Sequence, residues 1–249
     1  MTFKVYIPAR YDSTRLPGKA LADLGGQTLL EHVYRRALAS GAAEVVIATD
    51  DARIAACAEG FGATVCMTSP AHQSGTDRIA QAAALRGESP EAVIVNLQGD
   101  EPFMPAAVIR QVAAALAADP QVDIATVCEP VDTLAQWQDP NVVKVVRDVR
   151  GRALYFSRAA IPHPRDGDHE WSSHGPFYRH VGIYAYRCDF LQRFVRWAPA
   201  TLETLERLEQ LRALCQGAVI SVPTALESCG VGIDTPADLA HARRLMAAG

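Results

Sequence analysis

The run Lys4-Val5-Tyr6-Ile7-Pro8-Ala9-Arg10-Tyr11-Asp12-Ser13-Thr14-Arg15-Leu16-Pro17-Gly18-Lys19 decides how the chain is read. Lys4 to Ile7 alternate and are apolar enough for a buried strand. The stretch after Ile7 is turn-rich and gathers three cations, Arg10, Arg15 and Lys19, with the hydroxyl of Ser13. Open α/β sheets bind ligands in the crevice outside the carboxyl ends of their strands, so the loop stands at a ligand-binding address. Three cations there suit a polyanion such as a nucleoside triphosphate, although a basic loop that only faces water has the same composition. Gly18-Lys19 is not a Walker-type phosphate loop, because no glycine sits five residues before Gly18 and Ala20 stands where a hydroxyl is required.

Strand signals over 3–8, 44–49, 63–67 and 92–97 alternate with helical patterns, the rhythm of parallel βαβ units. Thr28 and Glu31 form a T-x-x-E capping box before an apolar stripe of Leu29, Leu30, Val33, Ala37 and Leu38 that stops near Gly41. A helix is predicted over 106–118, then a buried strand over 123–128. After Pro140 strands follow strands: 142–146 and 152–156 flank a hairpin-like turn at 148–151. The Pro- and Gly-containing, charged stretch 162–177 reads as a long surface loop or lid. Along 180–187, Val181, Ile183 and Ala185 share one face and His180, Gly182, Tyr184 and Tyr186 the other, predicting one core face and one cleft face. Leu202, Leu205, Leu208 and Leu211 recur at helical spacing, 219–222 is a strand candidate, and a last helix starts with Thr235 as N-cap, Pro236 at its first position and Asp238 three residues after the cap. The expected organisation is a single α/β domain over 1–249 with an inserted strand-rich segment at about 142–187.

A chain of 249 residues with 49% hydrophobic content has ample material for a core. Its 24 basic and 28 acidic residues give a formal charge of -4, so no global basic surface invites nucleic acid or an anionic membrane. Six cysteines show neither a C-x-x-C pair nor metal-like histidine spacing and are expected as reduced core thiols. No apolar stretch reaches the length of about 18 residues that spans a membrane, so a soluble cytoplasmic protein is expected.

Two acids stand out. Asp100 closes Val-Ile-Val-Asn-Leu-Gln-Gly-Asp, just past the carboxyl end of a strand and on the same rim as Lys19, with Gly99 allowing a close turn. Asp234 lies in Gly-Val-Gly-Ile-Asp-Thr-Pro, where a turn residue near a helix start is its plainer role. Two carboxylates meeting at a phosphate cleft would hold Mg²⁺, which takes few protein oxygens together with substrate phosphates and water.

The pattern Pro8-Ala9-Arg10, Ser13, Arg15-Leu16-Pro17 and Lys19 resembles the signature of cytidylyltransferases that activate acidic sugars. The segments His72 to Arg78, Asn96 to Pro102, Tyr155 to Ala159 and Leu208 to Arg212 are similar to the 3-deoxy-manno-octulosonate (Kdo) cytidylyltransferase family, over nearly the whole chain. The resemblance implies a Rossmann-like nucleotidyltransferase fold with a mostly parallel central sheet, the inserted segment serving dimerisation or as a lid. It also implies Mg²⁺-dependent transfer of CMP from CTP to the C2 hydroxyl of Kdo in lipopolysaccharide biosynthesis, with release of pyrophosphate, by a homodimer.

Carried over by resemblance, Pro8, Ala9, Arg10, Ser13, Arg15 and Lys19 bind the CTP phosphates, and Ser74, Gly75 and Arg78 meet the cytidine. Arg10, Lys19 and Asp100 are the expected catalytic groups, and Asp100 and Asp234 the metal ligands. Gln98, Arg158, His180, Tyr184, Glu209 and Gln210 form the expected sugar site. A sugar with one carboxylate and several hydroxyls calls for a guanidinium, here Arg158, and a ring of neutral or acidic partners. The loop 163–176, with His163, Pro164, Arg165 and Trp171, departs from the family's motifs. The N-terminal signature also permits CMP transfer to 8-amino-Kdo or a sialate, and a nucleotide-binding module without turnover would keep the same fold.

Overall fold

A computed structural model describes residues 1–13, 15–165 and 177–248. Strand β1 (Lys4–Ala9) leads through the basic loop to a 3-10 turn (Lys19–Leu21), the small hairpin β2 (Asp23–Leu24) and β3 (Gln27–Thr28), and helix α1 (Leu29–Ala39). Then come β4 (Glu44–Thr49), α2 (Ala52–Gly60), β5 (Thr64–Met67), α3 (Gly75–Leu85), β6 (Val93–Asn96), α4 (Ala106–Ala118) and β7 (Ile124–Pro130). The second half holds α5 (Leu134–Gln138), β8 (Lys144–Arg147), β9 (Ala153–Ser157), β10 (Tyr178–Arg187), α6 (Cys188–Phe194), α7 (Thr201–Glu206), α8 (Gln210–Cys215), β11 (Ile220–Ser221) and α9 (Pro236–Ala248).

The central sheet runs β11-β7-β10-β6-β1-β4-β5, with β8 and β9 branching from β10. Neighbours β6, β1, β4 and β5 are parallel, as are β7 and β11, while β10 is antiparallel to both β6 and β7. The period-two pattern decides which side chain goes to which layer. Val5, Ile7, Val45, Ile47 and Val95 point into one core with Val33 of α1 and Val112 of α4. Tyr6, Val46 and Ile94 point into the other with Ile79 of α3, Phe194 of α6 and Leu211 of α8. The result is an α/β/α sandwich whose central strands are buried on both faces, as a mostly parallel sheet requires.

Several sequence expectations are modified. The strand-rich segment is not set apart from the sheet: its last strand, β10, lies between β6 and β7 near the middle of it. Nor is one face of β10 simply a cleft wall. Val181, Ile183 and Ala185 join one core, while Tyr186 is buried in the other. Phe156, His180, Tyr184, Tyr186 and Phe190 form an aromatic row there with centroids 5.1, 5.4, 6.0 and 6.5 Å apart. The leucine run splits into α7 and α8 because Arg207 adopts the left-handed conformation with φ 55°. Leu202 and Leu205 are therefore exposed, and Leu208 and Leu211 are buried. All six cysteines are free, but Cys215 is exposed and Cys57 half-buried, so the core-thiol expectation holds for Cys66, Cys128, Cys188 and Cys229. The expected lid over 162–177 lies, from residue 166 to 176, outside the described residues.

Helix starts follow their cues in part. Thr28 Oγ1 accepts from Glu31 N at 3.2 Å, yet the Glu31 carboxylate turns outward to Arg35 rather than back to the cap. At α9 the exchange is reciprocal: Asp238 N donates to Thr235 Oγ1 at 3.2 Å and Thr235 N donates to Asp238 Oδ2 at 2.8 Å. Leu24, Leu29, Ile233, Leu239 and Ala242 form a separate apolar cluster that docks this last helix on the β2–β3 hairpin and the start of α1. Ile233 N donates to the carbonyl of Asp100 at 2.8 Å, which brings Asp234 beside Asp100. Among the described residues, no helix is long and apolar enough to cross a membrane.

Truncating buried Ile233 to alanine removes apolar contact from this small cluster and leaves a cavity, so Ile233→Ala should lower the unfolding free energy by about 2–5 kcal/mol. Thr235→Ala, which deletes only a cap, should cost about 1 kcal/mol. Urea titrations of the two variants check the ranking.

Candidate active site

The carboxyl ends of β1 and β6 border a polar cleft of about 240 Å³. Its first wall is the basic loop, which closes on itself where Gly18 N donates to Tyr11 O at 2.9 Å. Gly18 has φ 68°, and an added Cβ would lie 3.2 Å from the Tyr11 ring, so this tight return favours glycine twice over. The guanidinium of Arg53 stacks 3.3 Å from the Tyr11 centroid and is itself paired with Asp51. The loop thereby folds Lys19 back across the rim. A second close approach occurs at Gly99, where a Cβ would stand 2.9 Å from the Pro8 carbonyl oxygen, so the turn that presents Asp100 sits directly against the end of β1.

Lys19 Nζ lies 2.5 Å from Asp100 Oδ2 and 2.9 Å from Asp234 Oδ1. Arg15 NH2 reaches the other oxygen of Asp234 at 2.9 Å. Burial pulls the Lys19 ammonium towards its neutral form, but Asp100 and then Asp234 outweigh it and hold the group above the usual lysine range. The neighbouring Glu101 carboxyl is pushed up to about 8, first by burial and then by the negative charge of Asp100, against the pull of Arg179.

The second wall is the start of α3. Ser74 caps that helix by accepting from Asp77 N at 3.0 Å, and Ser74 and Gly75 face the cleft. A helix start of this kind presents unpaired backbone N–H groups to an anion or a polar ligand edge. Arg78 also lines the cleft but is only 3% exposed, with its guanidinium engaged by Thr68 Oγ1 at 2.7 Å and Asp50 Oδ2 at 3.0 Å.

Pro8, Ala9, Arg10, Ser13, Arg15, Lys19, Ser74, Gly75, Arg78, Asp100 and Asp234 all line this one cleft, together with Gln98. Arg158, His180, Tyr184, Glu209 and Gln210 do not line it. Glu209 lies behind the start of α3, where its Oε2 accepts from Thr76 Oγ1 at 2.5 Å, and burial raises its carboxyl above the usual range against the hydrogen bond from Thr76. His180 Nε2 stands 3.0 Å from Thr126 Oγ1, whose hydroxyl donates to Ile183 O at 2.7 Å. The His180 ring is therefore a donor at Nε2. Burial pushes its pKa down to about 3 and, aided by the charge of Glu209, raises the Tyr184 phenol above the usual tyrosine range. Arg158 is turned towards α7, donating from Nε to Glu206 O at 2.7 Å and from NH1 to Pro140 O at 3.0 Å.

Sequence reading passed over Asp50, Thr76 and Asn96. Asp50 follows β4 directly, so the rule that selected Asp100 would have found it. Asn96 is fully buried and accepts from Gln98 Nε2 at 3.0 Å. Among the described residues no three His, Cys, Asp or Glu side chains converge as a metal cluster. Asp100 and Asp234 converge as a pair on the Lys19 ammonium, and two hard carboxylates aimed at one cationic point beside a phosphate-sized cleft fit the donor set of Mg²⁺.

A family model described as Cytidylyltransferase matches residues 5–221. The chain is 52% identical over 250 residues to the 3-deoxy-manno-octulosonate cytidylyltransferase of Thioalkalivibrio sulfidiphilus, covering all of both proteins. It is 50% identical over 254 residues to the protein of the same name from Cellvibrio japonicus, again over the full length of both. The chain belongs to the 3-deoxy-manno-octulosonate cytidylyltransferase family. A solved CMP:2-keto-3-deoxy-manno-octonic acid synthetase complexed with CTP superimposes with a TM-score of 0.91 at 40% identity, over 100% of this chain and 99% of that one. A cytidylyltransferase from Leptospira borgpetersenii shares the fold, with a TM-score of 0.65 at 18% identity over 100% of this chain and 88% of that one.

Within this family frame His180 makes a pH prediction. Its folded pKa of about 3 lies below the ordinary 6.5. Between those values the unfolded chain takes up a proton that the native ring refuses, so stability falls as pH drops through the window. Urea unfolding at about pH 7 and about pH 5 should show this loss in the parent protein and a smaller loss in His180→Phe. An equal loss in both would assign the acid sensitivity elsewhere.

Proposed function

We propose that this chain transfers CMP from CTP to the C2 hydroxyl of Kdo and releases pyrophosphate, as a nucleotidyltransferase of lipopolysaccharide biosynthesis. The observation that carries the reading is the convergence of Lys19 with Asp100 and Asp234, 81 and 215 residues away, on the rim of a cleft flanked by further cations. In the reaction the sugar hydroxyl attacks the α-phosphorus in line, a new P–O bond forms, and the bond to the bridging oxygen of the leaving pyrophosphate breaks. No covalent enzyme intermediate is required. Arg10, Arg15 and Lys19 supply positive charge for the phosphates before and after that exchange. Ser74 and Gly75 would meet the cytidine at the head of α3, and Gln98, which lines the cleft and donates to Asn96 Oδ1, would serve the sugar with His180, Tyr184, Glu209 and Gln210.

Asp100 and Asp234 are the residues that would hold Mg²⁺, and a bound ion there neutralises phosphate charge and favours the nucleophilic form of the hydroxyl. Arg158 would meet the sugar carboxylate by exchanging the carbonyls of Glu206 and Pro140 for a stronger, charged acceptor. The whole chain is taken as one catalytic domain, acting in the cytoplasm as a homodimer. The dimer is supported by β9, which pairs only with β8 among the described strands and carries a 61% exposed Leu154, an edge that gains from cover.

Incubation with CTP, Mg²⁺ and Kdo should yield CMP-Kdo, identified by mass, with stoichiometric pyrophosphate. Faster release with 8-amino-Kdo or a sialate would reassign the acceptor, and CTP binding without release under any sugar would leave a binding module. Asp100→Asn should lower turnover by about a thousandfold, equivalent to about 4 kcal/mol of barrier, with an unchanged circular-dichroism spectrum. Lys19→Ala should raise KM for CTP more than KM for the sugar, and unaltered CTP kinetics would contradict its phosphate role.

A further inference from the structure

Behind the cleft lies a tier of polar side chains: buried Asn96 at the end of β6, buried Thr76 in the first turn of α3, and half-buried Glu209 just before buried Gln210, the first residue of α8. Asn96 is cross-strand neighbour to Tyr184, and the charge of Glu209 acts on both Tyr184 and Tyr186, so these groups form one neighbourhood. Three of its atoms, Asn96 Nδ2, Glu209 Oε1 and Gln210 Nε2, are buried with no hydrogen-bond partner among the described residues. Native proteins pair nearly all such atoms. Three together, two donors and one acceptor, mark where a polyhydroxylated ligand completes the set.

The two oxygens of Glu209 are not equivalent. Oε2 is held by the single proton of the Thr76 hydroxyl at 2.5 Å. Oε1 has no hydrogen-bond partner, and the guanidinium of Arg212, 3.9 Å away, is engaged by Glu203 at closer range. Thr76 is itself 3% exposed, β-branched, and carried on the same helical turn as Ser74 and Gly75 of the nucleotide wall. Its hydroxyl stands between the Glu209 carboxylate and the Tyr186 phenol. We infer that Thr76 is a positioning residue for the acceptor sugar: by fixing Glu209 Oε2 it presents Oε1 as the hydrogen-bond acceptor for a sugar hydroxyl. This rests on the proposed CMP transfer to Kdo. It also makes one turn of α3 serve both substrates, with Gly75 towards the nucleotide, Thr76 towards the sugar, and Ser74 lining the cleft while its side chain also meets the Glu209 carboxylate.

The test compares Thr76→Val, which keeps the shape and loses the hydroxyl, with Thr76→Ser, which keeps the hydroxyl. With Kdo varied at saturating CTP, Thr76→Val should raise KM for Kdo by about tenfold to a hundredfold while KM for CTP stays within about twofold. Thr76→Ser should restore KM for Kdo to within about threefold of the parent. In a Glu209→Gln background, adding Thr76→Val should change KM for Kdo by less than about threefold, because the partner it orients is already altered. Should Thr76→Val fail to fold, Thr76→Ala takes its place in the same comparisons. Parallel rises in both KM values, a serine variant no better than valine, or fully multiplicative effects with Glu209→Gln would each overturn the positioning role. A parent enzyme that releases no pyrophosphate with Kdo would instead overturn the proposed function, and this inference with it.

Discussion

One ammonium group ties the ends of the chain together. Lys19 stands between Asp100 and Asp234, and without it two carboxylates would face each other across the rim with no intervening cation. Like charges that close repel and resist ionising together. The pair is tolerable because the Lys19 ammonium sits between them. Charge balance thus couples the two aspartates to the basic loop: the group that neutralises them is one of the cations that line the cleft.

The framework for that coupling is the sheet. β1 and β6 are parallel neighbours, so the basic loop after β1 and the turn Gln98 to Asp100 after β6 emerge on the same rim. The approach at Gly99 sets their separation by backbone contact rather than by flexible side chains. Asp234 comes from another layer. Its position depends on the apolar docking of α9 and on the backbone bond from Ile233 to Asp100, contacts that are individually modest and absent from any local pattern. The antiparallel β10 enters between β6 and β7 and carries His180 and Tyr184 into an aromatic row. The proposed sugar groups His180 and Tyr184 therefore reach the neighbourhood of β6 because one strand of opposite direction was inserted beside it.

The legible part of the site was the part encoded by strand ends. Arg10, Ser13, Arg15 and Lys19 follow β1, and Asp100 follows β6, so sheet geometry alone gathers them. Arg78 shows the limit of residue-type reasoning: its charge is matched by Asp50 and its guanidinium is buried, which no spacing reveals. Arg158 is similar, since the carbonyls that engage it belong to Glu206 at the end of α7 and to Pro140 in the turn after α5. Thr76 was invisible for a different reason. A threonine in a first helical turn is unremarkable until the Glu209 carboxylate is found against it, 133 residues later in the chain.

The amino-acid order by itself determined the βαβ rhythm, the capped start of α9, the basic loop and its address at a strand's carboxyl end, because all of these follow from periodicity and nearest-neighbour chemistry. Tertiary structure alone decided that β10 is central, that the leucine run breaks at Arg207, which of the Glu209 oxygens is free to accept, and that Asp234 meets Lys19. Those outcomes depend on burial and on contacts between residues remote in sequence, whose free energies appear only once the layers have packed and water has been excluded between them.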